Sequence, residues 1–361
     1  MKKIIKILLI SLMLILTLCA CSIKEEKSYS VAQYINYFSE SNGDIVYQSF
    51  NNSLLLEKDN KITNLYEYSY LDDYYSMQNP FLYNEKLYYI TKSRNETECI
   101  AVLNINDLDK AVVITPEKQN INSFTVLGNK IYYHSYENGK NVIYSYDTLI
   151  NKETEILSTD YYIYNFFVSG DNILFGNKKY DLKSKVTTDL TDELNGKDVE
   201  GLGIIGKTYY CNYGNMHTDG NKIYAIDLDS NKISLVCELP LGMNVPRLYD
   251  YKILYENHNK NDQQYLTLSY YDLKTGKVNV AFDKTSNCYK YDKLLDHIDN
   301  YDSFYYNGNF YMWYPDTVVK INNLNEETMI GYREYKIEDG KSHLDLDWLN
   351  YNEYIESTSV Y

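Results

Sequence analysis

Phe124 to Ser158 read FTVLGNKIYYHSYENGKNVIYSYDTLINKETEILS. Four runs in this stretch, FTVL, KIYYH, VIYSYD and TEILS, alternate apolar and polar residues in the period-2 pattern of half-buried strands. Between them stand a Gly-Asn turn, a longer polar loop (SYENGKN) and a second turn after Asp147. Such a stretch folds as a four-stranded antiparallel meander that cannot bury both of its faces alone. It therefore requires neighbours of its own kind.

Those neighbours exist. The second run recurs as DIVYQ (Asp44 to Gln48), KLYYI (Lys86 to Ile90), NILFG (Asn172 to Gly176), KTYYC (Lys207 to Cys211), KILYE (Lys252 to Glu256) and NFYMW (Asn309 to Trp313). With KIYYH in place, the intervals are 42, 44, 42, 35, 45 and 57 residues, the last one carrying an insertion. The third run recurs as KKYDLKSK (Lys178 to Lys185), KIYAIDLDSNK (Lys222 to Lys232) and LTLSYYDLKTGK (Leu266 to Lys277). Four short strands per unit at this spacing define an all-β chain, a β-propeller of seven four-stranded blades, with six or eight left open by the weak first unit. Ring closure then asks the far end of the chain to complete that unit, because open edges are a liability. The recurring Lys-apolar-Tyr-Tyr and Tyr-x-apolar-Asp-x-x-x-Gly/Asn-Lys steps resemble bacterial surface propellers of the TolB and low-density-lipoprotein-receptor types over about Tyr34 to Asp339. The Trp-Thr-Asp step of the receptor type is absent, so that resemblance implies no calcium site.

The first twenty residues, MKKIIKILLISLMLILTLCA, combine Lys2, Lys3 and Lys6 with a wholly different, apolar run from Ile7 to Leu18. This is a secretory signal pattern, and a dozen apolar residues fall short of the about 20 that span a bilayer. Leu18-Cys19-Ala20-Cys21 resembles the bacterial lipobox, which implies cleavage before Cys21 and diacylation of that cysteine. The expected organisation is a signal peptide at 1–20, a lipidated tether at 21–33, the propeller at 34–340 and a closing segment or tail at 341–361. The expected location is the extracytoplasmic face of the cell membrane, held through Cys21, in a Gram-positive bacterium.

Charge narrows the partner. Against 50 acidic residues the chain has 35 basic ones, three of them in the signal peptide, and this acidic excess repels phosphate backbones. Nucleic acid is excluded as a partner, and a peptide, glycan or protein remains. The turns between first and second strands and between third and fourth strands are short and share one face. The longer connections collect on the other face, where function concentrates on rigid scaffolds. The ligand-binding candidates on that long-loop face are Asp72, Asp73, Tyr74, Tyr75, Tyr161, Tyr162, His217, Asp219, His258, Asp262, Asp296 and His297.

Catalytic signatures are missing: there is no GxSxG, HExxH, GxGxxG or phosphate-binding GxxxxGK[ST]. The expectation is a non-enzyme without cofactor or metal. Five scattered histidines (134, 217, 258, 297 and 343) read as solvated or hydrogen-bonded residues. Asp227-Leu-Asp229-Ser-Asn231 with Glu238 imitates a calcium loop but lacks its central glycine, and reads as a hairpin turn. Cys211 and Cys237 fall on strands about 9.6 Å apart, beyond disulfide reach, which favours buried thiols, while Cys237 with Cys288 stays open. The 43 tyrosines read as strand formers, wall material for thin sheets. A binding or sensing lipoprotein is the leading function, ahead of an envelope assembly component and of a propeller hydrolase or lyase.

Overall fold

The computed structural model describes residues 29–33, 37–48, 54–59, 61–65, 71, 73–74, 76–195, 199–213, 221–240, 246–258, 266–283, 302–306, 308–314, 317–321, 327–332, 334–338 and 341–345. The strands order themselves as six four-stranded sheets, one five-stranded sheet and a two-stranded hairpin. Blades 1 to 7 span residues 38–64, 78–113, 121–159, 166–189, 199–239, 247–283 and 302–332. Each is an antiparallel meander in chain order, as the repeat requires. The long last interval is explained by the 18 residues between Asp283 and Asp302, which separate blades 6 and 7. The hairpin pairs Glu334–Glu338 with Lys341–Asp345, so the segment after residue 340 begins as a strand.

Turn chemistry fixes the two faces. In blades 2 to 6 the turn after the third strand donates a backbone amide to the turn between the first and second strands. The bonds are Ile105 to Glu85, Thr148 to Asn129, Leu182 to Asp171, Leu228 to Lys207 and Leu273 to Tyr251, at 2.8–3.1 Å. These two kinds of turn therefore share one face. In blades 4 to 6 the turn opens on an aspartate whose carboxylate accepts the next amides: Asp181 from Lys183 and Ser184, Asp227 from Asp229 and Ser230, Asp272 from Lys274 and Thr275. The amides of Ser184 and Ser230 hold Asp181 and Asp227 below the usual carboxylate range. The calcium-like stretch at Asp227 is thus a hairpin turn, and Glu238 lies in the strand opposite Lys222.

Each of these turns, and that of blade 3 after Asp147, closes through a left-handed residue four positions after the aspartate: Asn151, Lys185, Asn231 and Gly276, with φ of 50°, 58°, 56° and 68°. Asparagine and glycine tolerate that region; lysine does not. Lys185→Gly is therefore expected to stabilise the protein by about 1 kcal/mol. A small rise of the thermal midpoint checks this, and a fall would show that the Lys185 stem contributes packing instead.

The core is distributed between blades. One apolar cluster fills each of the interfaces 1–2, 2–3, 3–4, 4–5 and 5–6. A sixth joins Phe38, Ile45, Tyr47 and Leu55 of blade 1 to Phe304 and Tyr311 of blade 7, so the ring closes by side-chain packing. Tyrosine is the wall material: Tyr47, Tyr89, Tyr133, Tyr209 and Tyr311 are among the largest fully buried side chains. Their hydroxyls find partners, Tyr47 donating to Glu57 and Tyr133 to Glu153. This meets the cost of burying a phenol.

Among the described residues the first blade consists of its own four strands and takes none from the far end of the chain, unlike the closure expected from sequence. The amino-terminal strand instead serves blade 4. β1 (Tyr29–Ala32) pairs antiparallel with the innermost strand of blade 4, Tyr29 opposite Ser169 and Ala32 opposite Phe166. It also packs on the innermost strand of blade 3, where the Ser30 and Thr125 hydroxyls hydrogen-bond. Ala32 is fully buried in the cluster between blades 3 and 4. The fold thus takes in four residues assigned from sequence to the tether at 21–33. β1 lies inside the ring of innermost strands, running from the short-turn face towards the long-loop face.

Candidate functional site at the axial rim of the long-loop face

Every innermost strand starts at the long-loop face, and several start on a polar residue. Asn79, Asn122, Asn165, Glu200 and Arg247 lie at, or one residue from, these starts in blades 2 to 6. Register shifts between Gln78 and Phe81, Ile121 and Ser123, and Gly201 and Gly203 break the ladder there, and such bulges re-aim side chains. Consecutive blades are linked through them. Asn79 reaches both sides: its backbone N–H donates to Gln48 Oε1 of blade 1 (3.0 Å), and its Nδ2 donates to the Asn122 carbonyl of blade 3 (3.5 Å). Asn165 Nδ2 donates to Glu200 Oε1 at 3.0 Å and to the Gly201 carbonyl at 3.4 Å. The end of β1 reaches this level, since Ala32 lies opposite Phe166, the residue after Asn165.

Glu200 is the electrostatic centre of the rim. Enclosure by protein pushes its carboxyl up to about 8, and the nearby Arg247 guanidinium only partly offsets that rise. The Nη1 of Arg247 is itself out of contact with solvent. Beside Glu200, Gly201 admits the aromatic wall. A Cβ at Gly201 would come within 2.3 Å of Phe167 Cε2 and of the Tyr209 hydroxyl. Phe167 and Tyr209 meet edge to face at 5.4 Å, and that hydroxyl donates to the Gly176 carbonyl at 3.0 Å. A carboxyl that keeps its proton near neutral pH donates as well as accepts. With the Asn165 amide and the Arg247 guanidinium beside it, the rim is equipped to hold hydroxyl, amide or carboxylate groups.

The residues singled out from sequence fare unevenly. Asp73 and Tyr74 lie on the connection from blade 1 to blade 2, on the long-loop face, tied to the loop of blade 2 by the Arg94 amide donating to the Asp73 carbonyl (3.1 Å). Tyr74 donates its hydroxyl to Glu117 at 3.1 Å. Tyr161 and Tyr162 lie on the connection from blade 3 to blade 4, 51% and 74% exposed, with the Lys178 ammonium 4.4 Å from the Tyr161 ring centre. Blades 2 and 3 stand between these two pairs. His258 ends the second strand of blade 6 on the same face. Asp72, Tyr75, His217, Asp219, Asp262, Asp296, His297 and the lipidation candidate Cys21 lie outside the described residues. Sequence reasoning missed Glu200, Arg247 and Asn165. A lone acid before Gly-Leu-Gly in an apolar strand, and one of only three arginines, were the available signals.

The remaining reactive groups are structural. His134 is buried, its Nε2 hydrogen-bonded to Asn141 Oδ1 at 2.9 Å, and burial lowers it to about 4. Cys99, Cys211 and Cys237 are free thiols, and burial pushes each up to about 12, which leaves them inert. Cys288 lies outside the described residues. No group of three or more His, Cys, Asp or Glu that could hold a metal is found among the described residues.

The chain is a β-propeller, and solved structures agree. It is similar to an oligogalacturonate lyase in complex with manganese, with 10% identity, a TM-score of 0.52 and 83% of this chain matched to 89% of that one. The β-propeller domain of the Trilobed protease from Pyrococcus furiosus, described as having an open velcro topology, shows 10% identity and a TM-score of 0.51. That match covers 88% of this chain and 99% of that one. TolB from Acinetobacter baumannii matches more loosely, at 13% identity and a TM-score of 0.40 over 81% and 77% of the two chains. No family model and no curated protein matches this sequence. At these identities the likeness concerns the fold alone, which enzymes and other proteins share.

Proposed function

We propose that this protein is a lipid-anchored extracytoplasmic propeller that binds a peptide, glycan or protein partner on its long-loop face without transforming it. The observation that carries the reading is the asymmetry of the ring. β1 occupies its interior from the short-turn side, while Asn165, Glu200 and Arg247 present polar groups at the opposite rim. Burial sets the state of Glu200, and its polar neighbours are an amide and a guanidinium, which suits holding a ligand. Hydrolysis of a glycosidic bond calls instead for two carboxyls roughly 5 to 10 Å apart. The exposed tyrosines 161 and 162, with Asp73 and Tyr74, extend this surface outward as stacking and hydrogen-bonding contacts.

One variant tests both halves. Cys21→Ser is expected to release the protein from membranes into the medium and to abolish uptake of an alkyne-tagged fatty acid seen in the parent. Membrane retention without label in the parent would overturn the anchor. The released protein, applied to a printed array of glycans and peptides, is expected to bind a subset. Asn165→Ala and Arg247→Ala are each expected to weaken those signals about tenfold. Cleavage of a bound probe on incubation would overturn the non-catalytic reading.

A further inference from the structure

We infer that the short-turn face, in the sector of blades 3 and 4, is a membrane-contact surface that docks on an anionic lipid leaflet and turns the long-loop face outward. The inference rests on the Cys21 anchor proposed above and adds an orientation to it. Three independent observations meet on that sector.

The first is where the chain emerges. Tyr29 pairs with Ser169, the last residue before the first turn of blade 4, so the amino terminus leaves the ring on the short-turn face. Seven residues lie between it and Cys21, and the eight steps of chain span at most about 28 Å when fully extended. A blade of four strands extends about 19 Å from the inner strand outward, and its strands are roughly 20 Å long. A tether from near the axis of the short-turn face would have to cover both lengths, about 40 Å, to bring the long-loop face against the bilayer. It cannot. It can reach face-on or edge-on.

The second observation favours face-on docking. The turn of blade 3 between its third and fourth strands carries Leu149 and Ile150 at its tip, 71% and 67% exposed. Val186, just after the equivalent turn of blade 4, is 52% exposed. Neither turn needs apolar residues there, since Asp147 and Asp181 supply the turn's own hydrogen bonds. Exposed aliphatic side chains on the face that bears the tether are suited to insertion at the level of lipid headgroups.

The third is charge. Lys130, Lys152, Lys183 and Lys185 surround these residues, all exposed. The acids of the sector are engaged: Asp147 and Asp181 with turn amides, and Asp171 with Lys183. In a chain whose acids exceed its bases by 15, these turns carry four lysines against Asp147, Asp171 and Asp181. Basic residues near an anionic leaflet are attracted to it.

The test uses the acylated full-length protein reconstituted into vesicles of phosphatidylglycerol and phosphatidylethanolamine that carry a headgroup nitroxide. An environment-sensitive fluorophore is placed at Leu149→Cys, at Ile150→Cys as a second reporter, or at Tyr162→Cys on the far face. The expected result is quenching at positions 149 and 150 several-fold stronger than at 162, reduced by Lys152→Glu with Lys185→Glu. Equal quenching at both faces, or stronger quenching at 162, in protein shown to be acylated would overturn the orientation while leaving the anchor intact. Protein that incorporates no fatty acid would instead remove the anchor, and the orientation with it.

Discussion

Replacing Phe304 by alanine is expected to open the ring between blades 7 and 1 and to cost about 3 to 5 kcal/mol. Phe304 is the hub of an aromatic cluster that spans three blades. It stacks on Phe38 of blade 1 at 5.5 Å with planes 9° apart, meets Tyr249 of blade 6 edge to face at 4.9 Å, and contacts Tyr311 within blade 7 at 5.9 Å. Such ring pairs contribute roughly 0.5 to 1.5 kcal/mol each beyond burial. The position matters because, among the described residues, the sheets of blades 1 and 7 are each built of their own consecutive strands and meet through side-chain packing. A drop of roughly 5 to 10 °C in the thermal midpoint is expected. Hydrogen exchange should rise in the inner strands of blades 1 and 7 and stay unchanged in blades 3 to 5. An unchanged midpoint would mean that the ring is held shut elsewhere.

The same contrast between local and long-range interactions explains what the sequence could tell. The seven blades and their two faces were legible because period-2 alternation and turn chemistry are local signals. Asp147, Asp181, Asp227 and Asp272, each followed four residues later by a left-handed Asn, Lys or Gly, announce their turns within five residues. Tyrosine as wall material was legible for the same reason, and the buried Tyr47, Tyr89 and Tyr133 fill equivalent places in blades 1 to 3. β1 was not legible. Its four residues, YSVA, are too short and too polar to distinguish from tether, and their partner strand belongs to the fourth blade. The rim was hidden likewise: Asn165, Glu200 and Arg247 lie in three different blades and meet only once the ring has closed. The tyrosines chosen from sequence were conspicuous as clusters, yet the two described pairs occupy separate connections.

The second large effect concerns Glu200, and its sign follows from where the proton sits. An unfolded chain releases this proton near 4.5, whereas the folded protein holds it to about 8. Below pH 4.5 both states are protonated and the group leaves stability unchanged with pH. Between 4.5 and 8 the folded state keeps a proton that the unfolded state has lost, so stability falls as pH rises and the loss is complete above about 8. The full shift would correspond to ~5 kcal/mol, but the residue keeps partial solvent exposure, and about 3 to 4 kcal/mol is expected. His134 acts in the opposite sense: its folded value near 4 lies below 6.5, so its contribution is lost as pH falls through that window. The two slopes oppose each other between pH 4.5 and 6.5, where stability is expected to be nearly level, and Glu200 governs the decline above. Glu200→Gln should remove that decline, matching the parent at pH 4 and exceeding it increasingly up to pH 8. Denaturant unfolding from pH 4 to 9 reads this directly, and parallel curves for the two proteins would show that Glu200 titrates normally. Glutamine keeps a donor facing the rim at every pH, whereas the parent loses its donor above 8. Binding through the protonated carboxyl should therefore weaken in alkaline solution for the parent alone, which separates a ligand-holding Glu200 from one that only fills space.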